Sequence, residues 1–553
     1  MNYTIDFYRR GVTNLENYLE TLIRNQMTDA MDWQHGGIMS IDQGIVPYNW
    51  GSVVFYPAFL YYFEDNRYYR SNDAFRCADE LLDFFNTNLH HSGVLDFHMA
   101  NFYSSPDTAF VNTVLCRLYR FIKDRPTDKK GKEFKVKLYN TIKRTADGIM
   151  AGGFHTPNHR WVETAALAAS MNITKDQSYL TRINAFLIEG IDCDEEGEYT
   201  ERSTGGYNYI NNEAMINIAV ELDKPEYLEN VRRNLKMMTE YVHTNLEIFT
   251  QNSTRQDKGV EKIFLDKYLY QYLKAGNLLK DRELLSIAKA ITDDLILHGR
   301  GYPIDLCSMV TENDLVSLPD DIEPYVFKDF DRHFKQSGLV REQHNGFTMS
   351  IMEDNDIFMY LRYKAVDMYI QGGIHFFNER HIRVKNIRKI ENGYAMDYHG
   401  EGKYYLPYGE YQGTSDFNKM DLEKRATTKP ITVDAVIEVT HTEKGFRIHI
   451  KTQGCRKVCI RFDMALNSNS TVFGNGYTIR ANAGGILVAG KGYVKAELGS
   501  CGIKIGPAFA DTFITEGLFG SNPIAADKYH VFFNALTPFD NTFTIEPVIK
   551  IEE

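Results

Sequence analysis

The chain has 553 residues, 43% hydrophobic and 25% charged, with a formal net charge of -12. That length predicts roughly two to four domains with sizeable cores, and an acidic chain without a basic run argues against nucleic acid as a partner. No stretch reaches the ~18 apolar residues of a membrane span, and MNYTIDFYRRGVTNLENYLE carries charges where a secretory signal is apolar, so no membrane partner and a cytoplasmic protein are expected.

Up to about residue 325 the apolar residues recur at the three-and-four spacing of one helical face. TNLENYLETLIRNQ, SNDAFRCADELLDFFNTNL, DTAFVNTVLCRLYRFIKD, KEFKVKLYNTIKRTADGIM, PEYLENVRRNLKMMTEYVHTNL and RELLSIAKAITDDLIL are examples. They predict roughly ten to twelve helices, many paired head to tail, without a fixed repeat motif. Between them, VPYNWGS offers Asn49 and Trp50 as binding residues, and Asp107 in NFYSSPDTAF reads as a helix cap. The 35 Tyr against 3 Trp suit a surface that meets sugars, or serve as core filler. Seven cysteines without a CxxC pair predict reduced, buried thiols and no zinc site.

GGFHTPNHRWVETAALA, residues 152–168, is an oddly polar helix start. Gly152 and Gly153 end one helix, Thr156 is placed to cap the next, and Pro157 takes its first position, where a missing N–H costs nothing. Asn158, His159 and Arg160 fall on the first turn, where the helix end adds partial positive charge. Donors, a base and a cation there make a seat for a carboxylate. His159 is therefore a candidate catalytic residue, and His155, Asn158, Arg160, Trp161 and Glu163 are candidate substrate ligands. His155, His159 and Glu163 are spaced by four, as helical metal ligands are, but Pro157 takes His155 off that face. No metal or cofactor is expected.

DCDEEGEYTERSTGGYNYINNEAM, residues 192–215, is the second cluster. An acidic turn leads through Glu198 to Glu201, a candidate catalytic carboxyl, and to Arg202, a candidate ligand. Gly205 and Gly206 let the backbone turn sharply and carry a tyrosine toward a cleft. Tyr207 and Tyr209, two apart in an extended segment, face opposite ways, so one is core. Tyr207 is favoured for catalysis and Tyr209 is the alternative.

After about residue 335 the chain turns to alternating β-branched and aromatic runs: GFTMSIM, HIRVKNIRKIENGYAMDYH, ITVDAVIEVTHTEKGFRIHIKT, CIRFDMAL and GGILVAGKGYVKAEL. His344, in LVREQHNGFTMSIM, opens this half and is a further catalytic candidate. Helices followed by strands predict two packed domains: an α/α toroid over 1–330, built as an incomplete barrel of helical hairpins, and an antiparallel β-sandwich over 331–553. The boundary is placed in LPDDIEPYVFKDFDRHFKQSG.

These pieces, in this order, resemble the polysaccharide lyases that join an α/α toroid to an antiparallel β-sandwich: the hyaluronate, chondroitin and alginate lyases and the heparinase II/III group. PNHRWVETAALA is similar to the asparagine–histidine helix start of that superfamily, which carries the match onto Asn158 and His159. DEEGEYTERSTGGYNY is similar to its acidic-glycine segment, matching Glu201, Ser203 and either Tyr207 or Tyr209. EQHNGFTMSI matches its sandwich histidine at His344. The chain departs from the family in reading YNY where a tyrosine–histidine pair is usual, and in lacking a visible export signal.

The resemblance implies a carbohydrate-active enzyme with an anionic oligosaccharide as its partner, cleaving beside a uronate by β-elimination. Such a lyase must neutralise the carboxylate, remove the proton alpha to it and protonate the leaving sugar oxygen. Two other readings stand beside it. One is a glycoside hydrolase such as a glucuronidase on the same scaffold, using two carboxyl groups. The other is a carbohydrate-binding protein without catalysis.

Overall fold

The structure is a computed structural model that describes residues 3–301, 305–515, 518 and 524–549. It divides into two compact units, Met1–Tyr241 with Glu247–Val326, and Val242–Leu246 with Phe327–Glu553.

Among the described residues the first unit holds thirteen α-helices. They are α1 (Tyr3–Asn25), α2 (Phe55–Tyr62), α3 (Asn72–Asn88), α4 (Ser105–Ile122), α5 (Lys129–Ala151), α6 (Pro157–Thr174) and α7 (Leu180–Leu187). Then follow α8 (Tyr207–Glu221), α9 (Leu228–Met238), α10 (Leu269–Leu279), α11 (Arg282–Leu297), α12 (Leu306–Thr311) and α13 (Asn313–Val316). A short hairpin, β1 (Leu95–Phe97) with β2 (Asn101–Ser104), precedes α4.

The helices start where side chains satisfy the first backbone N–H groups. Ser71 accepts from Ala74 N at 3.4 Å before α3, and Asp128 from Gly131 N at 2.9 Å before α5. Such a cap contributes about 1 kcal/mol. Ser104, not Asp107, caps α4: its Oγ accepts from Asp107 N at 3.2 Å and its hydroxyl donates to the Asp107 carboxylate.

Helices pair as α2/α3, α4/α5, α6/α7, α8/α9 and α10/α11, and α2, α4, α6, α8 and α10 form an inner row in that order. Each pair turns back on itself, so the inner helices run the same way and the loops before them gather on one rim. Helix α6 is buried from Asn158 to Met171, and its alanines let α4 and α8 approach from both sides. Segments α12 and α13 pack on α1 and α10 and complete this incomplete barrel of hairpins.

One predicted helix is shorter than its pattern. PEYLENVRRNLKMMTEYVHTNL reads as helical to its end, yet α9 stops at Met238. The carbonyl of Tyr241 accepts from Phe249 N at 2.7 Å instead of continuing the helix. Residues 242–246 pack with the second unit, where the fully buried Arg341 donates to Val242 O at 2.9 Å and to Ser350 Oγ at 2.7 Å. A tertiary contact overrides the periodicity here.

Among the described residues the second unit is a sandwich of two nine-stranded sheets. Its strands begin with β3 (Phe330–Phe334), β4 (Leu339–His344), β5 (Phe347–Met352), β6 (Ile357–Tyr363), β7 (Val366–Phe376) and β8 (Glu379–His381). Next come β9 (Lys385–Ile390), β10 (Gly393–Gly402), β11 (Ile431–His441), β12 (Phe446–Gly454), β13 (Cys459–Asn467) and β14 (Thr471–Gly474). Last are β15 (Tyr477–Arg480), β16 (Ile486–Val488), β17 (Val494–Leu498), β18 (Cys501–Gly506), β19 (Lys528–Leu536) and β20 (Asp540–Ile549).

One sheet runs β15-β14-β17-β18-β20-β12-β11-β10-β9, the other β16-β19-β13-β7-β6-β5-β4-β3 with β8 beside β7. Every pairing is antiparallel except β16 with β19, which is parallel. Along β7 Val366, Met368, Ile370, Ile374 and Phe376 are buried in alternation, and they join one core with Ile437, Phe446 and Ile448 of the facing sheet. Each such side chain contributes about 1.5–3 kcal/mol on burial. All seven cysteines are unpaired, and among the described residues no helix is long and apolar enough to cross a membrane.

Candidate active site

The rim where the inner helices begin collects most of the polar residues singled out by the sequence. Thr156 does precede α6, with Pro157 first in the helix, but its hydroxyl caps no backbone N–H. It accepts instead from Asn158 Nδ2 at 3.2 Å. The other Asn158 N–H is shared between the two oxygens of Glu201, at 3.0 and 2.9 Å, and Asn158 N reaches Glu201 Oε2 at 3.3 Å. The positive end of α6 is thus a carboxylate seat, and the chain fills it with its own Glu201. Both Asn158 side-chain N–H groups are engaged within the chain.

The cation of the site is one the sequence did not announce. Arg255 lies with its Nε 3.2 Å from Glu201 Oε1, an ion pair in which the N–H does not point at the carboxylate. Its guanidinium carbon is 5.3 Å from the centre of the Tyr207 ring, its side chain is 27% exposed, and among the described residues its two Nη groups make no hydrogen bond. Thr254 N and Oγ1 hold the Glu201 carbonyl at 3.2 and 2.9 Å, which sets the loop carrying Arg255. Burial raises the Glu201 carboxyl, and the Asn158 amide and Arg255 oppose that.

His155 is exposed and His159 buried, with ring centres 4.7 Å apart and planes at 89°. Phe110 of α4 meets the His159 ring edge-on at 6.5 Å. Burial, with His155 beside it, lowers His159 to about 4, against an upward pull from Asp107. The ring is therefore neutral at neutral pH. Its Nδ1 is buried without a partner, which leaves Nε2 as the accessible nitrogen.

Glu163 lies on α6 four residues beyond His159, fully buried, with the Ser105 hydroxyl donating to it at 2.7 Å. Burial pushes it up to about 7, partly offset by Ser105. Its side chain is enclosed between α4 and α6 rather than open to the rim. The folded state holds this proton where the unfolded chain has released it. Stability is thus fully present below the unfolded value of 4.5 and is lost as pH rises through about 7, by ~3 kcal/mol in all. Glu163→Gln is expected to leave urea-unfolding stability nearly unchanged near pH 4 and to raise it by up to ~3 kcal/mol near pH 8. Curves that stay parallel across that range would overturn the assignment.

The glycine pair acts by closeness, not by φ. A Cβ on Gly205 would sit 2.8 Å from Ile263 and 2.9 Å from Thr250, and one on Gly206 2.7 Å from Ser203 Oγ. Asp257 accepts from Ser203 Oγ at 2.7 Å and Gly205 N at 2.8 Å, and Ser203 Oγ accepts from Tyr207 N at 2.8 Å. Tyr207 therefore opens α8; the YNY segment is helical, not extended. Two positions on a helix are about 200° apart, so the tyrosines still diverge. Tyr207 makes one long contact, to Gln256 Oε1 at 3.4 Å. Tyr209 packs edge-on against the Tyr268 ring at 6.3 Å under Lys267 at 4.5 Å, and burial raises its hydroxyl.

Several candidates have partners outside this cluster. Arg160 donates to Glu189 Oε2 at 2.7 Å and Gly190 O at 3.1 Å and covers the Trp161 ring at 4.0 Å. Trp161 is fully buried, its Nε1 donating to Asp192 at 2.6 Å, so it is a core residue and no stacking platform. Asn49 and Trp50 lie in the turn before α2, with Trp50 packed on the core and no hydrogen bond to the cluster. Arg202 turns its Nη1 toward Asn252 Oδ1 at 3.5 Å. His344 belongs to the second unit, stacked on His441 at 4.6 Å and bonded to Asn345 at 2.9 Å.

Arg255 sits in TQNSTRQDKGVEKIF, a stretch without periodicity. The signal that would have found it is length: no α-helix lies between Met238 and Leu269, a long connection for packed helices.

No protein-family model and no curated protein matches the chain. Among solved structures it is similar to the Paenibacillus xanthan lyase, with a TM-score of 0.59 at 10% identity, over 100% of this chain and 58% of that one. It is also similar to the chondroitin AC lyase of Streptomyces coelicolor A3, with a TM-score of 0.53 at 8% identity, over 99% and 80% of the two chains. The complex of that lyase with chondroitin sulphate gives 0.50 at 9% identity, over the same shares. The likeness is one of fold, and the fold resembles those of carbohydrate-active enzymes. The chain spans just over half the length of the xanthan lyase it matches.

Proposed function

We propose that this protein is a lyase that cleaves uronate-containing oligosaccharides by β-elimination, with the rim of the helical unit as its active site. The observation that carries this reading is Arg255: a guanidinium whose Nη groups make no hydrogen bond among the described residues, beside the Tyr207 ring and close to a neutral His159. A uronate carboxylate pairs with those Nη groups, which offset its charge as the proton alpha to it leaves. Glu201, held by Asn158, orients Arg255. His159 Nε2 takes the alpha proton, its electron pair forms the new double bond, and the bond to the leaving sugar oxygen breaks. Tyr207 gives that oxygen its hydroxyl proton, and solvent returns the proton from His159 to Tyr207.

Hydrolysis needs two carboxyl groups facing each other across roughly 5–9.5 Å. On this rim Glu201 is engaged by Asn158 and Arg255, Glu198 by Tyr241 and Asn252, and Asp107 by Ser104 and Asn101. That set favours elimination. The deciding experiment incubates the protein with a panel of uronate oligosaccharides. Elimination produces the ultraviolet absorbance of a double bond conjugated to a carboxylate. New reducing ends without that absorbance identify a hydrolase, and binding without either product identifies a non-catalytic protein.

The base carries its own signature. The kcat/KM profile is expected to rise through about pH 4 as His159 loses its proton, well below the usual histidine range. An acid limb near 6.5 that survives in His159→Gln would remove His159 from this role.

A further inference from the structure

We propose that the lumen of the helical barrel, between α4, α6, α8 and α10, is a second binding site that takes a neutral, hydroxyl-rich ligand the size of one sugar ring. The lumen holds a cavity of about 410 Å³, within the range of small-molecule sites. It is separate from the rim. Arg117 lies ten residues along α4 from Asp107, about 15 Å, and Glu213 lies six along α8 from Tyr207, about 9 Å.

The charges in and around the cavity are engaged, Arg125 with the Tyr62 carbonyl at 3.3 Å and over the Phe121 ring, the others chiefly with one another. Arg120 grips Glu221 with both Nη groups, one at 2.7 Å. Lys274, beside Tyr270, reaches Glu312 at 3.1 Å, and the Tyr270 hydroxyl donates to Glu312 at 2.5 Å. Arg117 meets Ser308 at 2.5 Å and Asp305 at 3.7 Å.

Among the described residues, no hydrogen bond engages the Glu213 carboxyl, the Asn217 amide or the buried Nε of Arg117. Glu213 is also without an ion pair, and burial raises its pKa. An anion entering the cavity meets Glu213, Glu221 and Glu312, and a cation meets Arg117, Arg120 and Arg125. A neutral polyol meets no such conflict. Its hydroxyls match donors and acceptors of the Glu213, Asn217 and Arg117 kind, and Val114, Val310 and Tyr270 give the lining apolar surface for its C–H groups.

Calorimetric titration with glucose, galactose and mannose, against glucuronate and glucosamine as charged controls, tests this on the full chain. At least one neutral hexose is expected to bind once per chain. Asn217→Ala is expected to weaken it about tenfold, as is Ala169→Leu, which fills the lumen from α6, with circular dichroism showing both folded. Arg255→Ala leaves this binding unchanged, whatever reaction the rim performs. The proposal is overturned if no neutral hexose binds, if a charged control binds more tightly, or if hexose binding is lost in Arg255→Ala and kept in both lumen variants.

Discussion

Arg255→Ala is expected to lower kcat/KM on uronate oligosaccharides by about 10²–10³-fold, or ~3–4 kcal/mol of transition-state stabilisation. Most of the loss falls on kcat. Negative charge spreads onto the carboxylate as the alpha proton departs, so the guanidinium is worth more in the transition state than in the bound substrate. Arg255→Lys restores little. A single ammonium cannot hold Glu201 and a substrate carboxylate in the planar geometry of a guanidinium. Arg160→Ala is the contrast, because Glu189, Gly190 and the Trp161 ring already engage that residue. It is expected to leave kcat/KM within about twofold, since it removes no group facing the rim. Activity retained within tenfold in Arg255→Ala, measured by initial rates of double-bond formation, would place the carboxylate seat elsewhere.

Tyr207→Phe is expected to cost about 10²–10⁴-fold in kcat, the usual span for loss of a general acid, whereas Tyr209→Phe costs less than about tenfold. The hydroxyls differ in their surroundings. Tyr207 stands at the start of α8 beside Arg255 with one long hydrogen bond, while Tyr209 is packed against Tyr268 and Lys267. Substrates with a better leaving group report on the assignment directly. An activated aryl leaving group needs no proton, so it should rescue Tyr207→Phe and leave Arg255→Ala as slow as before. Equal losses in both tyrosine variants would mean that the tyrosine pair is structural.

The motifs carried part of this site on their face. Asn158, His159, Glu201 and Tyr207 stand in two polar stretches that interrupt amphipathic helices, and all four lie on the rim. Arg160 and Trp161 take other partners for a geometric reason. Residues 158–161 advance about 100° each around α6, so the four cannot share one face. Asn158 and His159 stay with the rim cluster, while Arg160 and Trp161 turn toward Glu189 and Asp192. His344 was read from a strand start, and its partners are His441 and Asn345 within the sandwich.

The sequence by itself determined the two textures of the chain, helical hairpins and then alternating strands, because both periodicities are local. A helix or a strand needs only its own few residues to declare a buried face. The sequence also determined the helix start at Thr156–Pro157 and the polar character of the rim. Only the tertiary structure decided which polar group meets which. Asn158 at the start of α6 and Glu201 and Arg255 in two later connections are 43 and 54 residues apart, and they touch because successive hairpins lay their preceding loops side by side. Whether a buried donor is free or engaged is settled at hydrogen-bond distance. That is why the helix end seen as a seat for a substrate proved to be occupied by Glu201, and the cation that faces outward is Arg255.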